Sequence, residues 1–212
     1  MTKLILIRHG ESLGNSTNKF LGHTDLDLSP KGYEQAEFLK KHLLEVHIDK
    51  IYSSDLLRAY NTIISTAKEK GISVIKSENL REIYAGDWEN LSFDDLCSNF
   101  SEDYTLWREN IGFSRCTGGE SVEDLQKRIY KELKRICDEN PDKTICVATH
   151  ATSIRSFAAK CLGYPLDKMK DIKWAKNASI SIFKYSGDKF EMLEYGNVSH
   201  LGDLVTELPK NV

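Results

Sequence analysis

The chain has 212 residues, 40% hydrophobic and 29% charged, with a formal net charge of -3. That size and mixed-sign composition suit one well-buried α/β core and exclude a disordered protein. The slight acidity gives no support for nucleic-acid or lipid binding, so attraction for an anion must come from a few cations focused in one cleft.

The first apolar run, Leu4-Ile5-Leu6-Ile7, is too short for a signal peptide or membrane span. Cys97, Cys116, Cys137, Cys146 and Cys161 are odd in number and irregularly spaced, without a Cys-x-x-Cys pair. Reduced structural thiols and a cytoplasmic location are therefore expected.

In chain order, the initial strand runs straight into Arg8-His9-Gly10-Glu11-Ser12, and a polar, Gly- and Asn-rich loop covers 10–28. Ser29-Pro30 reads as an N-cap with proline in the first turn, and Ala36, Leu39, Leu43 and Val46 form the apolar face of the helix. A short strand over 50–53 precedes a helix capped by Ser54 or Asp55, with Leu56, Tyr60, Ile63, Ile64 and Ala67 as its buried stripe. Gly71 ends that helix, and 72–75 is a strand. From about 83 to 118, aromatic and acidic residues alternate without a clear stripe. This stretch is expected to be a lid of short helices inserted in a single domain spanning 1–212.

Ser121-Val122-Glu123-Asp124 opens a long amphipathic helix carrying Val122, Leu125, Ile129, Leu133 and Ile136, and Asn140-Pro141 breaks it. The second buried strand, over 144–148, leads into Thr149-His150, with a helix at about 153–162. Two late strands, 179–185 and 190–195, flank the turn Ser186-Gly187-Asp188. Short apolar strands separated by helices predict a three-layer α/β/α sandwich around a mostly parallel sheet.

Ligands of such sheets bind at the carboxyl ends of the strands. Arg8, His9, His150 and Arg58 all fall there, with Asn15 in the loop beyond. The Ala151-Thr152-Ser153 turn can add helix N-terminal N–H groups. Two guanidinium forks, imidazoles and amide donors suit a phosphoryl group. A metal is not expected: no His-x-x-x-His or His-Glu-x-x-His spacing occurs, and Arg8 and Arg155 accompany the two histidines.

Leu6-Ile7-Arg8-His9-Gly10-Glu11-Ser12 with Asn15 resembles the signature of the histidine phosphatase superfamily, which includes the cofactor-dependent phosphoglycerate mutases. Further blocks follow in the family's order. They are Gly22 and Asp25, Leu28 to Gly32 with Gln35-Ala36, Ser53 to Ala59 with Thr62, and Leu80-Arg81-Glu82 with Gly86-Asp87-Trp88-Glu89. Gly119-Glu120-Ser121, Thr149-His150, the Asn177 to Ser181 stretch and His200-Leu201 complete the series. The resemblance implies that His9 is the nucleophile and forms a phosphohistidine that water hydrolyses. It implies that Arg8, Asn15, Arg58 and His150 hold the phosphoryl oxygens, that His150 is also catalytic, and that Glu82 is the acid and base of the two half-reactions. No cofactor is implied.

The superfamily's mutases carry a longer, basic insertion after the Glu82 position. Here Asp87, Glu89, Asp94, Asp95, Glu102, Asp103 and Glu109 outnumber Arg108 and Arg115. Leu21 stands where mutases show a substrate-touching hydroxyl, and Gly22 and Ala151 complete a candidate substrate pocket. Ala151 also departs from the glycine many members have after the second histidine. A phosphomonoesterase of the broad-specificity or α-ribazole phosphatase type is preferred, acting on a small phosphorylated metabolite, with a mutase as the alternative. Trp88 and Trp107 are expected to pack the lid, His23 to face pocket or solvent, Arg155 to lie on a helix surface or behind the site, and His200 to brace the active-site loop. The oligomeric state and the leaving group are not legible.

Overall fold

The period of two in the first strand sets the layering. In the computed structural model, which describes residues 1–207, β1 (Thr2–Arg8) sends Leu4 and Leu6 into one core and Ile5 and Ile7 into the other. Both faces are buried, as parallel strands require, and helices cover each.

β2 (Lys50–Ser53), β3 (Val74–Lys76), β4 (Thr144–Thr149), β5 (Ile180–Ser186) and β6 (Lys189–Asn197) complete a six-stranded sheet of order β3-β2-β4-β1-β5-β6. The first four strands in that order are mutually parallel, while β5 is antiparallel to β1 and β6 to β5. The expected three-layer, mostly parallel architecture is therefore observed. Arg8 of β1 pairs with Thr149 of β4, so His9 and His150 emerge side by side beyond the sheet.

The chain leaves those adjacent strands toward opposite faces. The helix α2 (Pro30–Leu44), which follows the short α1 (Leu13–Ser16), buries Leu39 and Leu43 beside Ile5 and Ile7. After α3 (Leu57–Lys70), α4 (Phe93–Asn99), α5 (Ser101–Asn110) and α6 (Val122–Asp138) comes α7 (Ala151–Cys161), which buries Ile154 and Phe157 beside Leu4 and Leu6. Divergence to opposite faces opens a crevice at the carboxyl ends of β1 and β4.

Several local expectations hold. Ser29 accepts the Gly32 N–H at 3.0 Å and Ser121 the Asp124 N–H at 3.1 Å, each side chain satisfying a helix donor that has no intrahelical partner. The five predicted apolar residues of α6 are fully buried. Gly71 ends α3 in the left-handed region, and the hairpin turn takes positive φ at Gly187 and Asp188.

Other local expectations are corrected. Ser54 and Asp55 do not cap α3, whose N-cap is Leu56. Asp55 pairs instead with Arg81, and the Leu57 N–H donates to Asp25, 32 residues away, at 2.7 Å. The buried face of α3 consists of Arg58, Ala59, Thr62, Ile63, Thr66 and Ala67, with Tyr60 and Ile64 only at its edge. The face is shifted because it packs a charged residue into the site as well as aliphatics into the core. α7 begins at Ala151, directly after His150, and not near 153.

The 83–118 stretch shares the larger core. Trp88 and Tyr104 pack edge to face at 5.8 Å, and Phe20 meets Trp107 at 5.1 Å. The Trp88 indole N–H donates to Thr117 Oγ1 at 3.0 Å, giving this buried ring a polar partner. Among the described residues no helix is long and apolar enough to cross a membrane.

Candidate active site

β1 delivers Arg8 and His9 into the crevice with their orientation already determined. Arg8 Nη1 donates to the Ala175 carbonyl at 2.7 Å. His9 Nδ1 lies 2.6 Å from the Gly10 carbonyl, which can only accept, so Nδ1 carries the proton and Nε2 keeps its lone pair. The His9 and His150 rings meet edge to face with centroids 5.2 Å apart. His150 is completely buried, and neither of its ring nitrogens has a hydrogen-bond partner among the described residues. An unpaired buried donor is costly, which suits a nitrogen kept for a ligand.

Arg58 enters from the first turn of α3. Its Nη1 donates to the Thr24 carbonyl at 2.9 Å and its Nη2 to the Gly22 carbonyl at 2.7 Å. Asn15 Oδ1 accepts from Ser12 and from Asn177 Nδ2 at 3.1 Å, which commits its oxygen and leaves its NH2 as the available donor. Asn177 also lies 3.2 Å from the carbonyls of His9 and Gly10. Sequence reasoning carried Asn177 only as part of a family block, because its role comes from β5 pairing with β1.

Burial draws both guanidinium pKa values from the ordinary arginine value down to about 10, partly opposed by the Glu82 charge, and both stay protonated at neutral pH. Burial first, and then the Arg58 charge, hold His9 and His150 well below 6.5. Both rings are neutral at pH 7, so the site presents two fixed cations and an unprotonated imidazole nitrogen.

Glu82 lies at the cleft wall with Oε1 accepting the Ile83 N–H at 2.9 Å and Oε2 the Thr152 N–H at 3.0 Å. The expected use of Thr152 as an anion donor is thereby corrected: that helix N-terminus orients Glu82. The cleft, about 850 Å³ with its open mouth, is lined by Arg8, His9, Asn15, Arg58, Glu82, Leu21 and Ala151 as anticipated, whereas the fully buried His150 is not among its lining residues. Gly22 does not line it. A Cβ there would fall 2.4 Å from Glu89 Oε1, and the residue serves through its carbonyl on Arg58.

The remaining candidates also have definite places. His23 does not line the cleft and is partly exposed to solvent, with its Nε2 3.0 Å from the Glu82 carbonyl. Arg155 is buried behind the cleft with its guanidinium 4.3 Å above the Trp174 ring. His200 bonds the backbone of Ala178, whose N–H donates to the His9 carbonyl at 3.1 Å. Trp107 packs as expected and also lines the cleft, stacked on Trp174 at 6.3 Å. Asn18, Lys19, Phe20, Phe93, Trp174, Thr206 and Glu207 line it as well, unforeseen because their segments converge only in three dimensions. Among the described residues no group of three or more His, Cys, Asp or Glu side chains could hold a metal ion.

The profile of the histidine phosphatase superfamily (branch 1) matches residues 4–198. Phosphoserine phosphatase 1 of Hydrogenobacter thermophilus is 32% identical over 215 residues, covering 100% of both chains. The adenosylcobalamin/alpha-ribazole phosphatase of Escherichia coli is 29% identical over 167 residues, 79% of this chain and 82% of its own. Among solved structures, Bacillus stearothermophilus YhfR superposes with a TM-score of 0.91 at 28% identity, covering 95% of this chain and all of its own.

Proposed function

We infer the route of catalysis from one premise: this chain belongs to the histidine phosphatase superfamily (branch 1) and is a phosphomonoester hydrolase. His9 Nε2 attacks phosphorus while the ester oxygen leaves, and the Nδ1–H on the Gly10 carbonyl steadies the cationic phosphohistidine. Arg8, Arg58, the Asn15 NH2 and a His150 N–H bind the three equatorial oxygens, where charge collects in the transition state. Glu82 gives its proton to the departing alkoxide, then takes one from the water that attacks the phosphohistidine and returns His9 to its neutral form. The observation that carries this reading is the buried His9 ring, tethered at Nδ1 by the Gly10 carbonyl in one cleft with two buried guanidiniums.

The leaving-group end of the cleft supports hydrolysis over isomerisation. A bisphosphate needs a second cationic subsite, and among the described residues the lining beyond Arg8 and Arg58 has one cation, Lys19, with the Glu207 carboxylate in the same wall. Phe20, Phe93, Trp107 and Trp174 make the rest of that wall largely aromatic, which favours a small phosphomonoester whose leaving group offers an apolar face. The 83–118 stretch acts as a lid element of the same folding unit, because its Phe93 and Trp107 supply part of that wall. A cytosolic location suits five cysteines present as free thiols.

The test is a rapidly quenched reaction with p-nitrophenyl phosphate, analysed by mass spectrometry. Phosphate on His9 is expected, and a reacting enzyme that never carries it refutes the route. A coupled assay of 2- and 3-phosphoglycerate exchange, with and without 2,3-bisphosphoglycerate, is expected to show no significant exchange.

A further inference from the structure

We propose that Glu89 is a positioning residue for Arg58, acting through the loop at 22–24. The proposal rests on the phosphate-binding role given to Arg58 above. Both Nη groups of Arg58 spend a donor on main-chain carbonyls, Gly22 and Thr24, and those carbonyls belong to a segment outside any helix or strand. The direction of the guanidinium is therefore only as well defined as that loop.

One carboxylate defines it. Glu89 accepts the N–H of three successive residues, Gly22 at 3.2 Å, His23 at 2.6 Å and Thr24 at 2.9 Å, together with the Thr24 hydroxyl. It also accepts the Ala85 N–H at 3.1 Å, which joins the loop to the segment carrying Glu82. With the N–H groups committed to Glu89, the carbonyls on either side of His23 serve Arg58. Two of the five guanidinium N–H donors are then used, and three stay available for phosphoryl oxygens. The approach is so close that only glycine fits at position 22.

The electrostatics agree. Burial works to raise the Glu89 carboxyl, but the hydrogen bonds from Thr24, His23 and Ala85 outweigh it and hold the group below its ordinary value. Its charge in turn favours the protonated form of buried Arg58. Glu89 is not one of the residues lining the cleft, so it acts on the substrate through Arg58.

The experiment is a double-mutant cycle on the full chain, read as kcat and KM for p-nitrophenyl phosphate and as the inhibition constant of orthovanadate. Glu89→Ala is expected to lower kcat by about 10- to 100-fold, the usual cost of an ångström-scale misplacement, and to weaken vanadate by a similar factor. In an Arg58→Ala background the same change is expected to cost less than about twofold, whereas in an Arg8→Ala background it keeps its full effect. Glu89→Gln, which retains one acceptor oxygen, is expected to fall between wild type and Glu89→Ala. Melting temperatures accompany each variant. If Glu89→Ala does not fold, the cycle is run with Glu89→Gln and with Gly22→Ala, whose added methyl crowds Glu89 Oε1 and the Ile83 carbonyl and so displaces the same loop. Multiplicative losses with Arg58→Ala, or unchanged vanadate affinity in folded Glu89 variants, overturn the proposal alone. An Arg58→Ala enzyme with wild-type turnover and vanadate binding removes the role of Arg58 and the proposal with it.

Discussion

The two ends of the cleft are built by different physics. At the proposed phosphate end, buried charged and polar groups are oriented by main-chain partners: Arg8 by Ala175, His9 by Gly10, Arg58 by Gly22 and Thr24, Glu82 by Ile83 and Thr152. At the leaving-group end, Phe20, Trp107 and Trp174 are held by ring packing. A hydrogen-bonded group has one productive geometry and loses it all at once, whereas an aromatic wall can be reshaped. Damage at the first end should remove chemistry for every substrate, and damage at the second should alter stability and choice of substrate.

The largest effect tests the phosphate end. His9→Ala is expected to lower kcat for p-nitrophenyl phosphate by about 10⁴-fold or more while circular dichroism and melting temperature stay close to wild type. Turnover within tenfold of wild type would remove His9 as the nucleophile.

The packed end gives the next effect, on stability. Trp88→Ala empties the centre of a cluster shared with Phe20, Tyr104 and Trp107 and should cost about 3–5 kcal/mol in urea unfolding. A loss below about 1 kcal/mol would mean that the 83–118 stretch is only loosely attached. Trp174→Ala should act on selectivity: the kcat/KM ratio of 1-naphthyl phosphate over phosphoserine should drop about three- to tenfold, the worth of one aromatic contact. An equal loss for both substrates would place Trp174 in the general scaffold.

Acid offers a reagent-free way to strain the phosphate end. Unfolded histidines take up protons below about pH 6.5, while His9 and His150 in the folded protein stay neutral until well below that value. The unfolded state then binds more protons, so stability is full above about pH 6.5 and is lost as the pH falls below it. Denaturant midpoints at pH 7.5, 6.5 and 5.5 should show that order, with a smaller drop in a folded His150→Asn variant. The smallest expected effect is none: EDTA should leave activity unchanged, and full loss restored by zinc or magnesium would overturn the metal-free route.

Much of the fold could be read before any coordinates. The layering follows from alternation in Leu4-Ile5-Leu6-Ile7, α6 from a regular apolar spacing, and two helix starts from Ser29 and Ser121. The convergence of Arg8, His9 and Arg58 on one cleft was legible for a related reason, with Asn15 in the loop beyond, whereas Glu82 came from the family resemblance alone. Each apolar strand stops abruptly, and the charged residues after it have nowhere to go but the sheet end. Less legible was any polar residue whose partner lies far along the chain. Periodicity reports which face of an element is apolar and says nothing of where a carboxylate in a loop will bond, so Glu89 read only as part of a family block and as one acid among seven in an acidic stretch. Arg155 read as a surface or supporting residue because no local pattern announces a tryptophan 19 positions later beneath its guanidinium.

What the amino-acid sequence determined by itself is whatever depends on neighbours: strand alternation, serine caps, a glycine stop, and an imidazole and a guanidinium adjacent at a strand tip. What only the tertiary structure decided is which distant partner satisfies each buried polar group. Asp25 caps α3, Thr152 orients Glu82, Asn177 secures Asn15, and Glu89 gathers the 22–24 loop under Arg58. Burial far from water makes every such group find a partner or bear a cost, and the choice among partners belongs to the folded chain.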